Sequence, residues 1–158
     1  MAKSLLLMRH SKAASPEGTP DHERPLADRG TREARAAGRW VAERGLMPEL
    51  VLASDSLRTR QTTELVLQAL AAGDAEVRYL PELYSTGVHQ LLHLVAETPP
   101  EVSTLLVVGH EPTMSSTVQV LCGSPVSFPT SAVAVLGIDG DWVDTEAGSA
   151  RLDTLYTR

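Results

Sequence analysis

Three short polar clusters in this chain each follow an apolar run. Arg9-His10 comes after Leu5-Leu6-Leu7-Met8, Ser54-Asp55-Ser56-Leu57-Arg58 after Leu50-Val51-Leu52-Ala53, and Gly109-His110-Glu111-Pro112 after the apolar stretch ending at Val108. A neutral imidazole can attack phosphorus and form a covalent phospho-enzyme. An arginine fork makes paired hydrogen bonds to phosphate oxygens. The group in transfer spreads negative charge over three oxygens, so fixed cationic donors stabilise it. Two histidines and two arginines in one crevice would therefore form a phosphoryl-transfer site that requires no metal. On spacing alone, the competing reading is that the histidines are ordinary capping or core residues.

Bringing these clusters together requires strands that end side by side. Leu5–Met8 is a short continuous apolar run, the pattern of a strand buried on both faces. Residues 11–29, rich in Ser, Pro, Gly and Asp, read as a loop. The spacing of Ala34, Ala37, Trp40 and Val41 predicts a helix over 30–44, with Gly45 as its stop. Leu50–Ala53 reads as a second strand. Ser54, Asp55 and Ser56 offer caps for a helix carrying Leu65, Val66, Leu67 and Leu70 toward the core, and Arg58 falls in its first turn, where free N–H groups favour an anion. A third strand is predicted at 77–80, a helix at 87–97 stopped by Thr98-Pro99-Pro100, a fourth strand at 104–108, a short helix at 113–121 and a fifth strand at 132–138. Trp142-Val143-Asp144 is expected to pair with that strand as a hairpin, and 151–156 reads as an edge strand or tail. Repeated strand–helix alternation implies one α/β domain over 1–158, a mostly parallel central sheet with helices on both faces. In such sheets ligands bind at the carboxyl ends of the strands, which is where the three clusters lie.

Composition narrows the partners. The chain has 158 residues, 42% hydrophobic and 22% charged, with a formal net charge of −6. That size fits one domain. The acidic balance argues against a broad nucleic-acid surface. The first apolar run is too short for a membrane span or a signal-peptide core, so a cytoplasmic protein is expected. Cys122 is the only cysteine, which excludes an internal disulfide and a cysteine-rich zinc site. His89 and His93 are four apart on a predicted helix, a spacing that can bind metal, but no third ligand accompanies them. No metal or other cofactor is expected.

The clusters also carry a family resemblance. Leu7-Met8-Arg9-His10-Ser11-Lys12 resembles the signature of the histidine phosphatase superfamily, the phosphoglycerate mutase-like group. Ser54 through Thr62 resembles its second arginine element, and Val107 through Pro112 its second-histidine element. Asp21-His22-Glu23-Arg24-Pro25-Leu26-Ala27-Asp28-Arg29-Gly30 and Phe128 through Ala134 resemble segments of a small branch, the SixA phosphohistidine phosphatases. The match keeps its order from about residue 3 to about residue 138.

The resemblance implies roles. His10 matches the nucleophile that becomes phosphorylated, Arg9 and Arg58 the phosphate-clamping arginines, His110 the second histidine on the phosphate, and Arg24 a further phosphate-facing arginine of the SixA-like branch. Larger relatives place a general-acid carboxylate 24 residues beyond the second arginine, the interval at which Glu82 follows Arg58; a capping or salt-bridging role is the alternative for Glu82. Many members have Gly after the Arg-His pair, where this chain has Ser11. Glycine lets backbone approach phosphate closely, and a serine hydroxyl could instead donate to it. Lys12 adds a cation nearby or is a solvated loop lysine.

Length bears on the substrate. Only 27 residues, positions 83 to 109, separate Glu82 from His110, and the predicted strand and helix use most of them. A lid of appreciable size does not fit, so the site is expected to be shallow. Enclosure suits small substrates, whereas an open site suits a phosphorylated side chain presented by another protein. The expected activity is removal of phosphate from phosphohistidine on a partner protein, such as a phosphotransfer domain or phosphocarrier. A small-molecule phosphomonoesterase and a non-catalytic phosphate-binding module are the alternatives.

Overall fold

Apolar residues in β1 (Lys3–Arg9) alternate between two cores. Leu5 and Leu7 pack on one face of the sheet with Leu91 and Val95 of α3 (Val88–Ala96) and Met114, Val118 and Leu121 of α4 (Thr113–Cys122). Leu6 and Met8 pack on the other with Ala37 and Val41 of α1 (Asp28–Glu43) and Val66 and Leu70 of α2 (Leu57–Leu70). All four β1 residues are at most 1% exposed, so the continuous apolar run belongs to a strand covered on both faces. The computed structural model describes residues 2–158.

Besides β1, the strands are β2 (Leu50–Ser54), β3 (Glu76–Leu80), β4 (Thr104–Gly109), β5 (Val133–Ile138) and β6 (Ala150–Tyr156). They form one sheet in the order β3-β2-β4-β1-β5-β6. The β1–β4, β2–β4 and β2–β3 pairs are parallel, and β5 and β6 join antiparallel. This is a single α/β domain with a mostly parallel sheet between two helical layers. No helix among the described residues is long and apolar enough to cross a membrane.

Two expectations about local structure are corrected. Trp142-Val143-Asp144 is a 3-10 turn, not a strand. The Trp142 ring is fully buried and its Nε1 donates to the Val102 carbonyl at 2.8 Å, while Asp141 and Asp144 cap the turn reciprocally. Burying that indole outweighs the strand preference of the segment. The hairpin partner of β5 is β6 instead. The loop after β1 also carries more order than its composition suggests, with a 3-10 turn at Asp21–Glu23 and a bridge between Ala13 and Leu26.

Register places the chemistry. Met8 pairs with Val108 and Arg9 with Gly109, while Ala53 pairs with Val108 from the other side. The carboxyl ends of β1, β4 and β2 are therefore adjacent, and the residues that follow each strand open onto one basin.

Candidate active site

His10 follows the last residue of β1, its N–H bonded to the Gly109 carbonyl at 3.0 Å. Its Nδ1 lies 2.8 Å from the Ser11 carbonyl oxygen. A carbonyl can only accept, so Nδ1 carries the proton and Nε2 the lone pair. Burial, reinforced by the nearby charges of His110, Arg58 and Arg9 and opposed by the Ser11 bond, lowers the His10 pKa to about 3. The ring is neutral at pH 7, with its nucleophilic nitrogen unprotonated.

His110 stands with its ring centroid 5.1 Å from that of His10. Its Nε2 is 2.8 Å from Ser54 Oγ and 3.4 Å from Thr59 Oγ1. Burial, together with the Arg58 charge, lowers its pKa to about 4.

Arg58, at the second position of α2, is 6% exposed. Its guanidinium donates to the Asp21 carbonyl at 2.7 Å and to Asp21 Oδ2 at 3.0 Å. Arg9 donates from Nη1 to the Phe128 carbonyl at 3.2 Å, and its buried Nε has no partner.

The basin has a volume of about 360 Å³ and is lined by Arg9, His10, Arg58 and His110 together with Asp21, Tyr84, Ser85 and Glu111. The structure thus brings together four of the seven candidate site residues. Arg24 stands at the edge, its Nε on the Ala14 carbonyl and its Nη1 on Asp21 Oδ1, both at 3.0 Å. Ser11 is fully buried and its hydroxyl turns away toward Ser131 Oγ at 2.5 Å. Glu82 is exposed in the 3-10 turn Pro81–Leu83 and does not line the basin. Glu82→Gln is therefore expected to leave kcat/KM within about twofold of wild type, since a surface change away from the chemistry has little leverage; a steady-state assay checks this. Lys12 is exposed, as are His89 and His93, and His93 pairs with Glu97 at 3.5 Å. The larger groove between α2 and β3, about 530 Å³, is lined by residues such as Leu67, Ala72 and Val77 and holds no histidine or arginine.

Sequence reasoning gave no role to Asp21, Tyr84 or Glu111. Asp21 Oδ2 accepts from the Tyr84 hydroxyl at 2.5 Å as well as from Arg58. The Tyr84 bond, then those of Arg24 and Arg58, hold the Asp21 carboxyl well below the usual carboxylate range. Glu111 accepts from the Ser115 N–H at 2.7 Å and the Ser115 hydroxyl at 2.6 Å, closing the first turn of α4. The sequence signal for Asp21 is its place three residues before Arg24; the contact with Tyr84 spans 63 positions and leaves none.

The two histidines make stability depend on pH. Each has a folded pKa below its unfolded value of 6.5, so the unfolded chain binds more protons as pH falls from about 6.5 toward 4. Their contribution is complete above 6.5 and is lost through that window, by up to about 1.4 kcal/mol per pH unit for each ring. Thermal melts between pH 7.5 and 4.5 without phosphate are expected to show a falling Tm, with a shallower slope in a His10→Gln/His110→Gln variant. Equal slopes would contradict the assignment.

Comparison with known proteins agrees with this geometry. The profile of the histidine phosphatase superfamily (branch 1) matches residues 5–88. An uncharacterized protein of Mycobacterium tuberculosis is 41% identical over 156 residues, covering 92% of this chain and 96% of the relative. A provisionally assigned phosphohistidine phosphatase SixA from Nakamurella multipartitia superposes with a TM-score of 0.87 at 37% identity, over 99% of this chain and 96% of that one. A protein histidine phosphatase SixA solved with tungstate gives 0.84 at 30% identity, over 98% and 96%. The chain is a phosphatase of the histidine phosphatase superfamily and belongs to its SixA-like branch.

Proposed function

We propose that this protein removes the phosphoryl group from phosphohistidine on another protein, through a phospho-His10 intermediate and without a metal. The observation that carries the reading is the hydrogen bonding that engages the carboxyl groups at the basin. An ester oxygen leaves readily only if a protonated acid meets it. Asp21 is held ionised by Tyr84, Arg24 and Arg58, and Glu111 is committed to Ser115. A phosphohistidine substrate already protonated on its other ring nitrogen leaves as a neutral imidazole, which needs less help from an enzyme acid. The site suits that leaving group. The connection from Leu83 to Val88 is also too short to cover the basin, so a side chain standing out from a protein surface can reach it.

In this mechanism Arg9, Arg58 and His110 hold the phosphoryl oxygens, with Arg24 at the rim. The His10 Nε2 lone pair forms a bond to phosphorus as the substrate N–P bond breaks, and the substrate imidazole departs. Water then attacks phospho-His10, the new N–P bond breaks, and inorganic phosphate leaves. A related SixA binds tungstate, a tetrahedral oxyanion like phosphate, which is in keeping with an oxyanion substrate. The neutral state of His10 suits attack and the arginine charges suit the phosphoryl oxygens.

A second reading has one observation in its favour. A groove of about 410 Å³ continues from the basin past Tyr84 and Glu111 toward Thr86, Gln90 and Thr113, which gives room for the body of a small phosphomonoester. The deciding experiment compares kcat/KM on a phosphohistidine-bearing protein with a panel of phosphomonoesters, with no metal added. A preference of at least about 10²-fold for the protein is expected, the size of the general-acid contribution that an ester would forgo here. A reversed preference would replace the first reading with the second.

A further inference from the structure

Beneath the nucleophile loop lies a buried carboxylate that the reaction as described does not use. The Glu33 side chain, on α1, is 7% exposed and gathers five donors. Oε1 accepts from the Lys12 backbone N–H at 3.2 Å, Thr130 Oγ1 at 3.1 Å and Ser131 Oγ at 3.3 Å. Oε2 meets Arg29 Nε at 2.8 Å and Arg158 Nε at 2.9 Å. Burial alone would push this carboxyl up, but the Arg29, Lys12 and Thr130 bonds outweigh it and hold it below its ordinary value. Glu33 is therefore an acceptor only.

That fact sets the direction of every hydrogen above it. Ser131 has one hydroxyl proton, and it goes to Glu33. The 2.5 Å contact between Ser131 Oγ and Ser11 Oγ must then be a donation from Ser11. The Ser11 N–H is taken by Thr62 Oγ1 at 3.0 Å, and the Thr62 proton by the Arg58 carbonyl at 2.8 Å. With its hydroxyl and N–H both fixed, Ser11 presents its carbonyl to His10 Nδ1. Two backbone features hold the arrangement in place. Ser131 sits at φ 68°, a left-handed conformation that costs a non-glycine residue energy, and its N–H reaches the Arg9 and His10 carbonyls. Gly30 lets α1 press onto the loop, since a Cβ there would stand 2.0 Å from the Lys12 oxygen.

Resting on the reading of His10 as nucleophile, we propose that Glu33 is a positioning residue: through Ser131 and Ser11 it fixes the carbonyl that holds the proton on His10 Nδ1 and so aims the Nε2 lone pair at phosphorus. This gives Ser11 a purpose where a glycine could not form the link. The serine serves the nucleophile's orientation from below and does not touch phosphate.

The test uses Glu33→Ala, Glu33→Gln and Ser131→Ala in the full chain, with three readouts. Imidazole ¹⁵N resonances report the His10 tautomer. Rapid quench gives the rate of phospho-His10 formation, and inhibition by inorganic phosphate gives ground-state affinity. Glu33→Ala is expected to mix the tautomers and slow phosphorylation about 10- to 100-fold, as losses of groups that orient reactive ligands do, while phosphate affinity stays within about twofold. Glu33→Gln keeps an acceptor at Oε1 and is expected to recover most of the rate, because Arg29 and Arg158 are exposed enough to turn to water. Ser131→Ala removes only the link and serves if Glu33→Ala does not fold; tautomer mixing is expected there too. A single wild-type tautomer in the folded variants, or phosphate affinity falling in step with rate, would overturn the proposal. The tautomer signal does not depend on turnover, so wild-type enzyme that never labels at His10 would refute the nucleophile reading separately.

Discussion

His10→Ala is expected to lower turnover by at least about 10⁴-fold, in line with the loss of a nucleophile that no other group replaces. The other imidazole lining the basin is that of His110, whose Nε2 is engaged by Ser54. The fold should survive the change. What ties residue 10 to the sheet is its backbone N–H on the Gly109 carbonyl, which alanine keeps, and the space left by the imidazole gives water room to meet the Ser11 carbonyl. Quenched reactions should trap an acid-labile phosphate on the wild type and none on the variant, with circular dichroism and Tm near wild type. A folded His10→Ala protein that turns over within tenfold of wild type would remove His10 from the chemistry.

The sequence is most informative where one residue type has one physical meaning. Continuous apolar runs mark strands covered on both faces, and polar residues just after them mark strand ends, so the sequence alone puts Arg9, His10, Arg58 and His110 at one edge of a sheet. Register then completes the arrangement, because β4 between β1 and β2 is what makes those three ends adjacent. That strand order is not written in local periodicity. The misreading of Trp142–Asp144 has a related cause. A β-prone triplet after a turn reads as a strand, and only the tertiary fate of the indole, buried with its N–H on Val102, reverses it.

Side-chain roles fixed by long-range contacts are the least legible. Ser11 stands where a small residue beside phosphate would suit, and its hydroxyl is free to face either way until Ser131, 120 positions on, claims it. Glu82 has the chain interval of a general acid, but the 3-10 turn that begins at Pro81 leaves it exposed and puts Tyr84 at the basin. In the sequence Asp21 is one loop acid, without a role of its own, in the segment that runs to Gly30. In the fold it bonds to Arg58, Arg24 and Tyr84 together, three donors of the kind that a phosphoryl group seeks.

Arg58→Ala is expected to lower kcat/KM by about 10²- to 10³-fold, the range for removing one donor aimed at charge developing in a transition state. The guanidinium is well placed for this. It is 6% exposed, fixed at the start of α2, and already grips an anion, since one of its nitrogens donates to Asp21 Oδ2. A phosphoryl oxygen asks for the same kind of donor, so substrate binding exchanges one anionic partner for another with little reorganisation of the fork. Arg58→Lys should recover no more than about a tenth of the lost activity, because an ammonium supplies charge without the planar pair of donors. The loss of charge should also be visible at the histidines. Arg58 contributes to the lowered pKa of both His10 and His110, although burial contributes more. In Arg58→Ala their titrations, followed by ¹³C or ¹⁵N resonances, should therefore move upward while remaining below 6.5. Wild-type kcat/KM with unmoved histidine titrations would mean that the Arg58 fork serves only Asp21. A fall in kcat/KM together with raised histidine pKa values would place its charge at the reacting phosphorus, where the neutral nucleophile and the anionic group have to coexist.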